Sequence, residues 1–291
     1  MFIKDLYEKD LVVSLEIFPP KPTDSIQTIY QTLEGLKDLS PDFISVTYGA
    51  GGQSKAHTLE IANIIKNKYH IEALAHLTCS HSTRSEIDAI LSELQAKGIE
   101  NILALRGDIP LLDHLPTSSD FHYAKDLVSH IEKSNAFGIG CACYPEGHLE
   151  SLKKVDDLKH LKEKVQCGAD FLISQLFFDN QLFYDFLEKL DLMDLDIPVS
   201  AGIMPVINTR QIQRITSMCG VTISDKFKRI IEKYEYKPQA LKEAGMAYAT
   251  EQIIDLIAFG VEGIHLYTMN RPEVARKIIG DISHIRKAFA S

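Results

Sequence analysis

Several features that would place this chain in a special class are missing from its sequence. The five cysteines are an odd number without a CxxC pair, so neither a disulfide framework nor a structural zinc site is expected. No apolar run approaches the roughly 20 residues that a membrane-spanning helix needs. The run LVVSLEIF near the N-terminus carries Glu16 and lacks the features of a signal peptide. We therefore expect a soluble, cytoplasmic protein.

The chain also lacks an excess of basic residues. Its formal net charge is -9 and its pI is about 5.7. Binding to nucleic acid relies on clustered Lys and Arg that neutralise phosphates, so no nucleic-acid partner is expected. Hydrophobic content of 45% and charged content of 24% are typical of an ordinary globular protein.

Eight short apolar runs, rich in β-branched residues, predict strands. They cover residues 12–18, 42–49, 72–79, 101–108, 138–145, 171–178, 199–204 and 264–269. Amphipathic segments with apolar residues at helical spacing lie between them. Because parallel strands need such helical crossovers, the alternation predicts an α/β fold, a single (β/α)8 TIM barrel over residues 1–291. Residues 206–262, between strands seven and eight, should hold extra helices.

Polar residues occupy the ends of nearly all the predicted strands, where barrel enzymes carry out catalysis. They are Glu16, Thr47, Tyr48, His76, Thr78, Arg106, Asp108, Tyr144, Gln175 and Tyr267, with His148 just beyond its strand. A barrel with a purely structural role would not need these groups at one rim. The pattern therefore predicts an active site there.

Glu16 is surrounded by apolar residues in SLEIFPP. Desolvation favours the neutral form of a buried carboxyl group, and this is the form that a general acid needs. The alternative is a structural pair between Glu16 and Arg106.

In ALRGD, Gly107 lets the backbone turn closely, and we expect Arg106 and Asp108 to face the mouth of the barrel and to orient a charged ligand. The alternative is a salt bridge between those two charges. The glycines of TYGAGGQS lack the last glycine of a dinucleotide fingerprint. We interpret Gly49, Gly51 and Gly52 as a loop that approaches the ligand, with plain turn chemistry as the alternative.

Two other barrel chemistries are not supported. A metal-dependent hydrolase needs grouped ligands such as HxH at the end of the first strand, where Glu16 is the polar group, so no metal is expected. A Schiff-base enzyme needs a lysine inside the barrel, and none of the eight runs contains one. Cys141 and Cys143 share one strand face, and we interpret them as packing residues.

Eight motifs in order resemble the bacterial methylenetetrahydrofolate reductase family over residues 12–271: SLEIFPP, SVTYGAGG, HLTC, ALRGD, YPEGH, SQLFFD, GIMPV and HLYTMNR. The resemblance implies non-covalent FAD at the carboxyl ends of the strands of a (β/α)8 barrel. NADH or NADPH and the folate would use that FAD in turn, in a ping-pong reaction that reduces 5,10-methylenetetrahydrofolate to 5-methyltetrahydrofolate. The family also implies a homo-oligomer.

The resemblance also implies roles for individual residues. Glu16 matches the general acid, and Asp108 matches a catalytic carboxylate that contacts the pterin beside the flavin. Gln175, Gln211 and Met269 fall in the substrate site. The FAD site would comprise Thr47, Tyr48, His76, Arg106, Gly107, Asp108, Tyr144, His148, Asp157, His160 and Lys164. Among these, Arg106 and Lys164 are suited to the pyrophosphate.

Three positions depart from the family pattern. His160 replaces an Asn on the adenosine side, Ile215 replaces an aromatic residue that can stack on the ligand, and Met269 replaces a Leu of the substrate cavity. The choice between NADH and NADPH therefore stays open. The rival functions are a flavin-free folate-binding barrel, such as a methyltransferase or carrier subunit, and a catalytically inactive subunit. Because the sequence stops at Ser291, we expect no feedback by adenosylmethionine.

Overall fold

The computed structural model describes residues 1–8, 11–21, 23–48, 52–107, 119–151 and 153–289. Within these ranges, eight parallel strands follow one another in chain order and close into a barrel, so that the first strand pairs with both the second and the eighth. The strands are β1 (Val12–Ile17), β2 (Phe43–Val46), β3 (Glu72–Thr78), β4 (Asn101–Leu105), β5 (Gly138–Cys143), β6 (Phe171–Ser174), β7 (Val199–Ile203) and β8 (Gly263–Tyr267). The predicted (β/α)8 barrel is confirmed.

The helices surround the barrel. In the described part of the chain they are α1 (Gln27–Leu36), α2 (Gly52–Asn67), α3 (Arg84–Ala96), α4 (Ala124–Glu132), α5 (Lys154–Gln166), α6 (Asn180–Asp191), α7 (Thr209–Cys219), α8 (Asp225–Tyr234), α9 (Pro238–Phe259), α10 (Pro272–Asp281) and α11 (Ser283–Ala288). Three of them, α7 to α9, lie between β7 and β8, which confirms the extra helices that were expected there. No helix in the described ranges is long and apolar enough to cross a membrane.

Side chains alternate between the two faces of each strand, as the pleat of a strand requires. The inward residues nearest the amino ends of the strands are apolar and pack with Ile3 and Leu6 of a short 3-10 helix, Ile3–Glu8. They include Val12, Phe43, Leu74, Leu103 and Phe171. This helix therefore fills the amino end of the barrel and leaves the opposite end for the site.

The outward residues form the main core, between the strands and the helices. Leu15, Ile44 and Ala75 belong to it, as do Cys141 and Cys143. The two thiols are fully buried in this layer, so the interpretation of them as packing residues is confirmed.

A second, smaller core lies under the extra helices. The predicted sixth strand ran to residue 178, but β6 ends at Ser174. Leu176 and Phe178 are apolar because they pack in this second core with residues of α7, α8 and α9, such as Phe227 and Tyr248. A Cβ at Gly245 would lie 1.7 Å from the carbonyl oxygen of Val206, so glycine allows α9 to lie directly against the loop after β7.

Candidate active site

A buried polar cluster lies inside the barrel, above the apolar layer. Glu16 enters it from β1 and is only 5% exposed. Its Oε2 atom lies 3.3 Å from His265 Nε2, 3.4 Å from His76 Nε2 and 3.4 Å from Ser45 Oγ. Three other strands, β2, β3 and β8, therefore direct polar side chains at one carboxyl group. The pair of Glu16 with Arg106 is not what the structure shows.

Ser14 fixes the orientation of the His265 ring. Its Oγ atom lies 2.7 Å from His265 Nδ1 and donates a hydrogen bond to the carbonyl oxygen of Ile264. When Ser14 donates to that carbonyl, it accepts from Nδ1–H, and Nε2 can then accept a hydrogen bond from a neutral Glu16 carboxyl group. In the other tautomer, Nε2–H donates to the Glu16 carboxylate. The same geometry therefore suits both protonation states of an acid.

His76 completes the cluster as a neutral imidazole. Burial lowers its pKa, the Glu16 carboxylate opposes that change and the His265 ring adds to it, and the result is a pKa of about 4. Among the described residues its Nε2 atom has no hydrogen-bond partner, although Glu16 lies 3.4 Å away. A buried, unpaired nitrogen at the mouth of a barrel is a ready contact for a ligand.

A second, charged cluster lies at the rim, around the loop after β5. The Arg106 guanidinium forms a bidentate pair with Glu150, with both N–O distances at 2.6 Å. His148 lies among these charges. Burial lowers its pKa, Arg106 and Lys164 lower it further, and Glu150 and Asp157 oppose the change. The structure thus brings four predicted cofactor residues into one cluster, together with Glu150, which the sequence reasoning missed.

Further predicted cofactor residues lie on the segments that follow β4 and β5, and Lys164 makes a backbone contact there. Tyr144 contacts the His148 ring edge to face at 4.7 Å, and Lys164 Nζ donates to the carbonyl oxygen of Ala142 at 2.6 Å. His160 is exposed on α5. Gly107 has a φ of 89°, and a Cβ there would lie 2.6 Å from Ser80 Oγ. The close turn expected at this glycine is confirmed.

The side chain of Tyr48 lies away from the mouth. Thr47 continues the inward face of β2, and Tyr48 therefore turns outward, where it packs against the main core. It lines a small cavity with Leu59 and Ile90 of α2 and α3, and burial raises the pKa of its hydroxyl. The cofactor contact of Tyr48 stays a prediction.

The two predicted substrate amides are engaged with backbone. Gln211 accepts from the N–H of Ile207 and donates to the carbonyl of Pro205, so it supports the loop after β7. Gln175 accepts from the N–H of Leu176. Ile215 is buried in the second core.

Met269 is 39% exposed, in the loop after β8. Asp108, Gly49 and Gly51 lie outside the described residues.

Sequence reasoning missed several members of the inner cluster: Ser14, Ser45 and His265. A signal for each was present. Because every second residue of a strand faces the same way, Ser14 shares a face with Glu16, Ser45 with Thr47, and His265 with Tyr267. Reading two positions upstream of each rim residue would have found all three.

The comparisons with known proteins agree with the motif resemblance. A family model described as methylenetetrahydrofolate reductase matches residues 2–283. A 5,10-methylenetetrahydrofolate reductase of Salmonella typhimurium is 35% identical over 266 residues, 91% of this chain and 88% of the relative. A probable methylenetetrahydrofolate reductase (NADH) of Oryza sativa subsp. japonica is 33% identical over 293 residues, 96% of this chain. The chain spans 49% of that plant relative, about half its length.

A solved structure supports the fold. An uncharacterized protein from Clostridium thermocellum, which binds two copies of 5-methyl-5,6,7,8-tetrahydrofolic acid, has a TM-score of 0.68 to this chain at 14% identity. The match covers 98% of this chain and 100% of the other. On the family model and the bacterial and plant relatives, the chain belongs to the methylenetetrahydrofolate reductase family.

Proposed function

We propose that this chain reduces 5,10-methylenetetrahydrofolate to 5-methyltetrahydrofolate, with FAD as cofactor and NADH as electron donor. The observation that carries the proposal is the buried Glu16, whose carboxyl group is surrounded by imidazole and hydroxyl groups at the mouth of a (β/α)8 barrel. The names of the bacterial and plant relatives support the substrate, and the name of the plant relative supports NADH.

The residues present fit FAD. Arg106 and Lys164 supply two positive charges beside His148, and a pyrophosphate is the part of FAD that such charges bind. The Nε2 atom of His76, which has no hydrogen-bond partner among the described residues, would donate to or accept from the isoalloxazine ring. Bound FAD would supply the redox chemistry, taking hydride from the nicotinamide and giving it to the folate in successive half-reactions.

Glu16 would act in the folate half-reaction. Opening of the five-membered ring of the folate leaves a nitrogen that must be protonated, and a neutral carboxyl group can give up that proton. Ser45 Oγ–H would then donate to the resulting carboxylate at 3.4 Å, and in the tautomer that carries its proton on Nε2 the His265 ring would donate to it at 3.3 Å. Because these groups are in place before the reaction, the charge is stabilised without rearrangement of the barrel.

The substrate contacts are proposed on the family pattern. Asp108 would contact the pterin, and Met269 would line the cavity from the loop after β8. Gln175 and Gln211 would bind the pterin edge only after giving up their present backbone partners. Alternatively, Gln211 would act indirectly, by holding the loop after β7 in place.

The first test is the absorption spectrum of the purified protein, followed by anaerobic mixing with NADH and then with methylenetetrahydrofolate. We expect a flavin spectrum that NADH bleaches and the folate restores. A colourless protein that binds methyltetrahydrofolate but cannot be reconstituted with FAD would instead support a flavin-free folate-binding barrel. Bleaching by NADH without recovery on addition of folate would refute the proposed substrate.

A further inference from the structure

The turn after β8 has an unusual backbone. Met269 and Asn270 have φ values of 52° and 56°, in the left-handed region that non-glycine residues rarely adopt. Such a conformation costs about 1–2 kcal/mol for a residue with a Cβ atom, and Asn tolerates it better than Met. Two such residues in succession require compensating contacts from the surrounding structure.

Those contacts are made with the loop after β1. Thr268 is 1% exposed, and its Oγ1 atom donates to the carbonyl oxygen of Glu16 at 2.6 Å. The backbone N–H of Thr268 donates to the same oxygen at 3.2 Å. The side-chain amide of Asn270 accepts from the N–H of Phe18 and donates to its carbonyl oxygen, both at 2.9 Å. The backbone N–H of Asn270 donates to Thr268 Oγ1 at 3.2 Å.

These bonds extend the contact between β1 and β8 beyond the strands themselves. The last residue pair of the ladder is Glu16 with Tyr267, so the barrel is already closed before Thr268. The side-chain bonds of Thr268 and Asn270 therefore add restraint to the backbone at Glu16 and Phe18, on the two sides of Ile17.

The direction of the Glu16 side chain follows from that backbone. His76 Nε2 lies 3.4 Å from the Glu16 Oε2 atom without a hydrogen bond. The hydrogen bonds of Glu16 with His265 and Ser45 are 3.3 and 3.4 Å long, near the upper limit for such bonds. A backbone shift of a few tenths of an ångström would therefore break them.

We propose that Thr268 and Asn270 are positioning residues that hold Glu16 in its proton-donating geometry. This inference rests on the proposed role of Glu16 as the acid. The left-handed turn lets the Asn270 side-chain amide reach both the N–H and the carbonyl oxygen of Phe18. Neither residue touches the reacting atoms.

The test compares Thr268→Val, which keeps the volume of the side chain but removes its hydroxyl group, with Thr268→Ser, which keeps the hydroxyl group. In stopped-flow experiments on the flavin-loaded protein, Thr268→Val should slow the folate half-reaction by roughly tenfold or more, since small misplacements of a catalytic group have effects of that size. The NADH half-reaction should stay within about twofold. Thr268→Ser should behave like wild type in both.

A second readout does not depend on activity. The 15N chemical shifts of the His265 and His76 rings report whether the Glu16 carboxyl group still lies beside them. We expect these shifts, and their pH dependence, to change in Thr268→Val and to be retained in Thr268→Ser. Asn270→Ala should give the same change, and it replaces Thr268→Val if that variant does not fold.

The outcomes separate the two ideas. Should the wild-type protein show no folate half-reaction, the proposed function is wrong. Should Glu16→Gln leave that half-reaction unchanged, Glu16 is not the acid. In both cases the ring shifts still decide whether the turn positions Glu16. Unchanged ring shifts in Thr268→Val or Asn270→Ala would overturn the positioning role. Equal slowing of both half-reactions would also overturn it, because that result indicates a general structural role.

Discussion

Substitution of Glu16 by Gln separates the two halves of the proposed reaction. The amide keeps the shape of the side chain and can still accept from Ser45, which lies 3.4 Å from the carboxyl oxygen, but it cannot supply the acidic proton. Loss of a general acid typically costs about a hundredfold or more, which corresponds to a barrier higher by about 2.7 kcal/mol. Transfer of hydride from NADH needs no proton from Glu16 and should remain near the wild-type rate.

The assay is anaerobic stopped-flow absorbance of the flavin, with NADH in one experiment and methylenetetrahydrofolate in the other. Glu72→Gln is the matched control, because Glu72 is also a buried glutamate on a strand, 7% exposed. It lies at the first residue of β3, at the other end of the barrel, where Lys66 Nζ donates to its carboxylate at 2.6 Å. This control should lose stability but keep both half-reactions.

Two results would refute the reasoning about Glu16. Equal slowing of both half-reactions would mean that Glu16 holds the flavin or the mouth of the barrel in place. A fast folate half-reaction in the variant would remove Glu16 from the mechanism.

Three further changes test the rim and the inner cluster. Arg106→Ala should weaken FAD binding by roughly tenfold to a hundredfold, since charge-assisted hydrogen bonds contribute about 1.5–3 kcal/mol. Retention of the flavin on gel filtration measures this, and stoichiometric retention by the variant would contradict it. Glu150→Gln should tighten FAD binding by up to about fivefold, because it frees Arg106 from an exposed ion pair worth about 0–1 kcal/mol. Fluorescence titration measures the Kd for FAD, and weaker binding by the variant would show that Glu150 supports the site. His76 should stay neutral in the folded protein down to about pH 4, whereas in the unfolded chain it takes up a proton near its ordinary pKa of 6.5. The free energy of unfolding should therefore fall by up to about 3 kcal/mol as the pH drops from 6.5 to 4. Urea titrations should show a smaller fall in the His76→Asn variant than in the wild-type protein. An equal fall in both proteins would exclude His76 as the source.

The positions of the eight strands could be predicted from the sequence because the signals are local. Apolar runs, helical spacing between them and polar residues at their ends all lie within short windows. The boundaries were less accurate. The run to Phe178 was assigned to a strand because it is apolar, but its last residues are buried by helices that follow much later in the chain.

Side-chain direction was only partly read from the sequence. The two-residue period of a strand shows that Thr47 and Tyr48 face opposite ways, and the structure places the Tyr48 ring among the outer helices. The amide of Gln211 is an example of what no local pattern reveals, since its partners are backbone atoms of the preceding loop. Their availability depends on how that loop folds over the barrel.

The sequence by itself determined a (β/α)8 barrel, a polar rim, and Glu16 as the carboxyl group at the end of the first strand. Only the tertiary structure decided which groups surround it. Glu16 and His265 are 249 positions apart and meet because closure of the barrel places β1 beside β8. Arg106, which the sequence offered as a partner, pairs with Glu150 instead. The physical reason is that strand alternation is a local property, whereas the neighbours and register of strands depend on the closed barrel.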